Sequence, residues 1–416
     1  MWRLKRRLGS RILRFGDRGS DVRELHAFLR LQGYDLGEED YYGYLTKDAV
    51  QQFQRDHGLV ADGIAGRRFF ALALKEDLPV RRRVHVVQPQ ETLEAIAERY
   101  GVGPEAFGRY PGRGGIYPGQ RLVFFDREVW GICRGGVQLE AAGQMLTGVI
   151  CSDPQDAPSG LPCLLRPAEP AWDVVRIHSA LKTSRSRKSA AKWFLEAAQA
   201  APRTCGLYLP WREVARLDGV RYLKLLRYLR RLLGPSVMLW VELGPEVPPW
   251  RIWGGVDYAK VNDLVDRIVI RMPRAEQPGP VLNLEPLREL LRSVRRDVHS
   301  WKILLDVPVC AVEWEMSAAG TNRVELSYHQ ARSKALRRGA RLRTSEQGEP
   351  YYSYQSRGSR HEIHFPQLAA LADLCALINR CNLAGIILAG LGQEDPRIWE
   401  VLRAHFRTAA LNISEQ

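Results

Sequence analysis

From residue 128 onward the chain alternates apolar strand candidates with amphipathic helical segments. The strand candidates are VWGICRGG, LTGVICSD, WDVVRIHS, CGLYLPW, VMLWVELG, RIVIRMPR, KILLDVPV and GIILAGLG. Eight such runs, mostly followed by helical patterns over nearly 290 residues, predict a closed (β/α)8 barrel. In that architecture reactive groups sit at the C-terminal strand ends. The thinnest step is the second crossover, where only PAEPA separates the second and third runs.

The remainder divides into two smaller units, so the expected boundaries are 11–76, 83–126 and 128–416. In FGDRGSDVRELHAFLRLQGY, Ser20 and Asp21 are expected to cap a helix with Val22, Leu25, Phe28 and Leu29 on its apolar face, ended by Gly33. A second helix is expected from Thr46 to Gly58 and a third after the Asp62-Gly63 turn. This spacing resembles the three-helix peptidoglycan-binding domain of wall hydrolases, through Gly16, Gly19, Val22, Leu25, Gly33, Tyr34, Ala49, Val50, Phe53, Gln54, Asp62, Gly63 and Gly66. Tyr41 and Phe69 depart from the pattern, and most matches are packing and turn residues.

After the linker KEDLPVRRR, VHVVQPQETLEAIAERYGV and IYPGQRLVFF predict a compact βααβ unit. Thr92-Leu93, Ile96-Ala97, Tyr100-Gly101-Val102 and Tyr117-Pro118-Gly119-Gln120 resemble a LysM module. The resemblance implies binding of N-acetylglucosamine-containing chains in a groove bordered by Gln90, Glu91, Thr92, Arg109, Tyr110 and Tyr117. Gln90-Glu91 replaces the usual Gly-Asp, and Arg109-Tyr110 stands where Asn-Pro is common.

The barrel half resembles the family 18 glycoside hydrolases, and within them the LysM-bearing N-acetylglucosaminidases of cell wall and spore cortex. The segments that carry this are GGVDYAKVNDLVDRIVI, KILLDVPVCAVEWEM, GEPYYSYQSRGSRHEIHF and LAGIILAGLG. The family's fourth strand bears D-G-x-D-x-D-x-E, whose last Glu protonates the leaving oxygen while an Asp holds the substrate's acetamido group. On that motif Cys205, Tyr208, Pro210 and Arg212 occupy the acidic positions, with Gly206 and Trp211 retained. A guanidinium stays charged near neutral pH and is no general acid. Arg271-Met272-Pro273 stands where Met-Thr-Tyr is usual, Ala389 replaces the floor Trp, and Trp314 persists in the seventh strand. Glu213, one residue out of register, is read first as a helix-start carboxylate. Glu242 and Asp306 are read as paired or solvated rim charges, with a displaced acid as the alternative for all three.

Other signals exclude more than they assign. The seven cysteines form no C-x-x-C pair and read as reduced core thiols. His361-Glu362-Ile363-His364 is not H-E-x-x-H, and alternation is expected to split both His from Glu362, so neither metal nor cofactor is expected. GVRYLKLLRYLRRLLG reads as an outer barrel helix rather than a membrane-surface one, with Leu223, Leu226, Leu229 and Leu233 inward. LKTSRSRKSAAK reads as a solvated loop, with anion binding as the alternative. The net charge of +14 favours an anionic partner, but no nucleic-acid signature is present and the basic residues are spread through all units. No run spans a membrane, and the basic start MWRLKRRLGSRILRFG lacks an apolar signal core.

The expectation is therefore a multidomain protein of wall or spore coat and cortex, without a recognisable signal peptide and made in the mother cell. Its partners would be peptidoglycan or cortex glycan, together with coat or wall proteins. Its barrel is expected to be catalytically degenerate. The alternative is a divergent N-acetylglucosaminidase acting through Glu213 or Glu242.

Overall fold

A computed structural model describes residues 8–408, apart from 35, 37–39, 58, 75–81, 108–114, 134–144, 168–171, 202–203, 212–213, 235–236, 245–255 and 346–348. The first unit is three helices, α1 (Ser20–Leu31), α2 (Tyr44–Asp56) and α3 (Arg67–Ala73), around Val22, Leu25, Leu29, Val50, Phe53 and Phe69. The caps differ from expectation. Gly19 is the N-cap of α1 and no side chain caps it, because the Asp21 carboxylate is buried and accepts from Arg11 Nε at 2.7 Å. Helix α2 starts at Tyr44, which leaves Thr46 free to hydrogen-bond His26 Nε2 through Oγ1 at 2.9 Å. The expected stop at Gly58 lies outside the described residues.

The second unit has β1 (Arg82–Val86), α4 (Leu93–Arg99), a 3-10 turn (Pro104–Phe107) and β2 (Arg121–Phe125), with the strands antiparallel. Ile96, Ala97, Phe107, Leu122 and Phe124 form its core.

The third unit begins with β3 (Glu128–Ile132), β4 (Gly148–Cys151) and β5 (Cys163–Leu165). It continues through α5 (Val174–Leu181), α6 (Ser184–Gln199), β6 (Thr204–Leu209), α7 (Gly219–Leu233), β7 (Met238–Leu243), α8 (Tyr258–Asn262), β8 (Arg267–Arg271), α9 (Leu284–Val294) and β9 (Ile303–Pro308). An inserted block follows, with β10 (Ala311–Ser317), β11 (Gly320–Leu326), α10 (Tyr328–Arg337), β12 (Arg341–Thr344), β13 (Pro350–Ser356) and β14 (Ser359–His364). The chain returns through α11 (Leu368–Cys381), β15 (Gly385–Ala389) and α12 (Ile398–His405). Strands β3 to β9 and β15 close a parallel eight-stranded barrel, with β15 between β9 and β3.

Two of the expected segments change state. WDVVRIHS is helix α5 rather than the third strand: Asp173 caps it by accepting from Arg176 N–H at 2.8 Å, and Ile177 and Leu181 bury one face at helical spacing. The third strand is the three-residue Cys163–Leu165, too short to stand out in the sequence. The segment around SRSRKSAAK is helix α6, opened by a capping box between Thr183 and Ser186, with Ala190, Ala191 and Phe194 inward. Helix α7 buries Leu223, Leu226, Leu229 and Leu233 against the barrel.

The inserted strands form an antiparallel sheet in the order β11-β10-β14-β13-β12, with one face packed on Ala331 and Ala335 of α10. Trp314 therefore lies in this sheet, on β10, and not on the seventh barrel strand. The small units are seated on the barrel. Trp301, just before β9, joins the core of the helical unit and meets His57 edge-on at 6.0 Å, and Gly103 N–H donates to Ala404 O at 2.7 Å.

Candidate functional site at the barrel mouth

Alternation along each barrel strand sends one set of side chains into the lumen and the other under the helices. Trp130, Ile150, Leu164, Tyr208, Trp240, Val269, Leu304 and Ile387 fill the interior. On β6 the lumen residue is Tyr208, while Leu207 and Leu209 face the helical layer. Trp211 continues that outer row and is fully buried between Trp172 at 4.6 Å, Phe194 at 5.6 Å and Tyr222 at 6.0 Å. It is a packing residue between barrel and helices and does not line the mouth. Gly206 is required by close approach, since a Cβ there would stand 2.2 Å from Met238 O on the neighbouring strand.

Four strand ends bring one polar network together. Tyr208 Oη donates to Glu242 Oε2 at 3.0 Å, Arg271 Nη2 lies 3.1 Å from Glu242 Oε1, and Arg271 Nε donates to Asp306 Oδ2 at 3.0 Å. Tyr208, Glu242, Arg271 and Asp306 thus link β6, β7, β8 and β9 in sequence. Glu242 and Asp306 are 1% and 2% exposed. Burial pushes the Tyr208 hydroxyl well above the ordinary tyrosine value, and the nearby charges of Glu242 and Asp306 push it further. Burial alone pulls the Arg271 guanidinium down, but the two carboxylates more than offset it and its pKa ends above the usual arginine value. Arg166 places its guanidinium carbon 5.7 Å from the Tyr208 ring centroid.

Both acids are paired, sharing one guanidinium, and they are buried rather than solvated at the rim. The sequence did hold a signal for this: Glu242, Arg271 and Asp306 are charges near the C-terminal ends of three consecutive apolar runs. The opposite end of the lumen carries a second pair, Arg267 Nη2 with Glu128 Oε1 at 2.6 Å, and Trp130 Nε1 donates to Glu128 Oε2 at 3.2 Å. Sequence reasoning missed it because Arg267 and Glu128 are 139 positions apart.

The other expected site residues are dispersed. Cys205 is partly buried, its Sγ donating to Cys163 O at 3.1 Å, and burial pushes its thiol up to about 12. Ala389 closes β15 against the interior cluster, and Pro210 directly follows β6. Trp314 is 3% exposed, packed on Val281 and Val312 with the Arg323 guanidinium over its ring, so it offers no open face to a sugar. Arg212, Glu213, Arg109 and Tyr110 lie outside the described residues. In the small βααβ unit, Glu91 accepts from Gln88 N–H at 2.8 Å and pairs with His85 at 2.7 Å and Arg99 at 2.9 Å. The Gln88 hydrogen bond, then His85, holds its carboxyl below the usual range. Thr92 caps α4, Gln90 takes a left-handed φ of 69°, and Tyr117 is exposed in the facing loop.

The HEIH segment divides differently from expectation. Along β14 His361 turns toward Glu313 at 3.2 Å, whereas His364 shares a face with Glu362 and lies 3.1 Å from it. Only one His is separated from Glu362, and no group of three or more metal-ligating side chains exists among the described residues.

Comparison with known proteins follows the same three-part division. Residues 18–72 match the peptidoglycan binding domain family and residues 85–125 match the LysM domain family. The structure superposes on the spore cortex-lytic enzyme SleL of Bacillus cereus with a TM-score of 0.59 at 16% identity, over 87% of this chain and 93% of that one. A chitinase from Chromobacterium violaceum superposes with a TM-score of 0.57 at 19% identity, over 67% and 98%. The barrel has the family 18 glycoside hydrolase fold. In sequence, 192 residues are 24% identical to the sporulation-specific glycosylase YdhD of Bacillus subtilis. That match takes in 44% of this chain and 45% of the relative, so the chain spans less than half of that protein's length. The protein therefore carries a peptidoglycan-binding-type module and a LysM module ahead of a family 18-like barrel.

Proposed function

We propose that this protein binds peptidoglycan or spore-cortex glycan and that its barrel has given up glycosidic hydrolysis. The observation that carries the reading is the buried network centred on Arg271 at the mouth. A general acid must come within about 3 Å of the leaving oxygen with a proton to give. Glu242 and Asp306 are covered from solvent and engaged by Arg271, and Tyr208 donates its own proton to Glu242. At three motif positions where the family presents carboxyl groups there are Tyr208, Pro210 and Cys205.

The binding half rests on the two modules, whose candidate glycan contacts are the Gln90, Glu91 and Thr92 turn and Tyr117. These two loops flank the same end of the β1–β2 pair, since Val87 N–H donates to Gln120 O and Gly119 N–H donates to Val87 O. Glu91 and Thr92 shape the turn, which leaves Tyr117 and the Gln90 amide to meet a sugar. By likeness to cortex-lytic and sporulation proteins, cell wall or spore cortex is the proposed location. Among the described residues no helix is long and apolar enough to cross a membrane.

The test is incubation of the intact chain with purified peptidoglycan and cortex, followed by sedimentation and mass spectrometry of the supernatant. Retention in the pellet without new soluble fragments is expected. Absence of retention refutes binding. Release of fragments that stops in Glu213→Gln or Glu242→Gln identifies a divergent N-acetylglucosaminidase instead.

A further inference from the structure

The inserted sheet carries a second, basic site away from the buried network. In the register of β12, β13 and β14, Arg341 lies opposite Ser353, Arg343 opposite Tyr351 and Gln355 opposite Arg360. Period-two alternation puts all six on one face. The other face holds Tyr352, Tyr354 and Ile363 against α10, so the basic face is the one that α10 leaves open. With Arg338 and Gly339 from the end of α10, these residues line a pocket of about 590 Å³.

Four arginines and no carboxylate line that pocket. Arg360 is balanced by Glu362 at 2.6 Å, while Arg341 and Arg343 form no ion pair among the described residues. Charges on the edge strand β12 have an ordinary explanation, since they deter pairing with another chain. That explanation reaches Arg341 and Arg343 but not Arg338, Arg360 or the concavity. It also leaves out Tyr351, whose ring is stacked on His364 with centroids 4.9 Å apart and planes 6° apart, a fixed aromatic surface beside the cations.

We propose that this face binds an anionic glycan, its acid groups held by the Arg341 and Arg343 guanidinium forks and a sugar ring resting on Tyr351. Planar forks match carboxylate and phosphate oxygens bidentately, which lysines do not. The cross-strand row Arg341, Ser353, Glu362, Trp314, Arg323 runs from this pocket to Val281 in the loop after β8. The site therefore lies on the sheet that flanks the mouth. This inference rests on the wall-glycan reading, and neutral and acidic ligands separate the two.

The experiment is titration of the full chain with three probes: hyaluronan oligosaccharides, poly(glycerol phosphate) and neutral N-acetylglucosamine hexamer. Arg341→Gln/Arg343→Gln changes two exposed side chains, and circular dichroism verifies that the fold is kept. The double variant is expected to lose at least about tenfold in affinity for the acidic polymer, with hexamer binding unchanged. Whichever acidic polymer shows this loss gives the source of the anion, carboxylate or phosphate. Arg341→Lys/Arg343→Lys is expected to recover only part of it, and Tyr351→Ala to weaken glycan binding further. Unchanged acidic-polymer affinity in the Gln variant overturns the site, as does duplex DNA binding as tightly as glycan with no effect of Tyr351→Ala. Loss of hexamer binding in the parent chain counts against the LysM reading alone.

Discussion

Removing Arg271 tests the central claim about the mouth. In Arg271→Met two carboxylates, 1% and 2% exposed, would face each other across the vacated guanidinium. At an effective dielectric of about 20, a unit ion pair about 4 Å apart contributes roughly 4 kcal/mol. Two pairs, less the cost of burying the guanidinium, leave an expected loss of about 3 to 5 kcal/mol, the usual range for breaking a buried pair. For a unit of this size that is on the order of 10 °C in Tm. The pH dependence has a definite sign. Without the cation, burial disfavours the charged form of both carboxylates, so the variant keeps most stability at low pH, where they are protonated, and loses it as pH rises. The deficit relative to the parent should shrink between pH 7.5 and 4.5, and Glu242→Gln/Asp306→Asn added to Arg271→Met should restore most of it. Urea unfolding followed by tryptophan fluorescence reads all three. A loss below about 1 kcal/mol, or one equal at both pH values, would refute an ion-paired network.

Tyr208→Phe should cost about 1 to 3 kcal/mol, because Glu242 loses a buried donor, and thermal unfolding checks it. Gly206→Ala should destabilise the barrel by about 1 to 3 kcal/mol or more through the clash with Met238 O, read by soluble yield and melting temperature. Trp301→Ala should loosen the helical unit by about 3 to 5 kcal/mol, seen as faster proteolysis between it and the barrel while the barrel melts nearly as before. Gln90→Gly relieves a left-handed residue at φ 69° and should raise LysM-unit stability by up to about 1 kcal/mol, measured by hydrogen exchange of β1 and β2.

The barrel was legible because seven of its strands, four to six residues long, lie on apolar runs. The third failed for a physical reason. Cys163–Leu165 is buried yet too short to show a period, whereas Val174, Val175 and Ile177 look β-prone although Asp173 starts a helix there. The inserted sheet stayed hidden because Val309 and Cys310 continue the apolar run of β9 straight into β10, so one run holds two strands of different sheets. At the mouth, the individual charges could be picked out, but their pairing depends on which strands become neighbours, which follows only from closure. Trp211 was misplaced by one step of alternation, the difference between lumen and helical layer.

The Trp301 contact has a geometric consequence for how the molecule could meet a wall. The helical module grips the barrel at the N-terminal strand ends, while the open basic sheet and the mouth are at the other end. Six-residue strands put roughly 20 Å of packed core between those ends. A glycan strand held by the helical module must bend around the barrel's flank to touch the mouth, whereas two different strands could be held at once. Under the proposed non-hydrolytic reading, that separation suits a spacer or rivet between two strands better than a blade travelling along one thread.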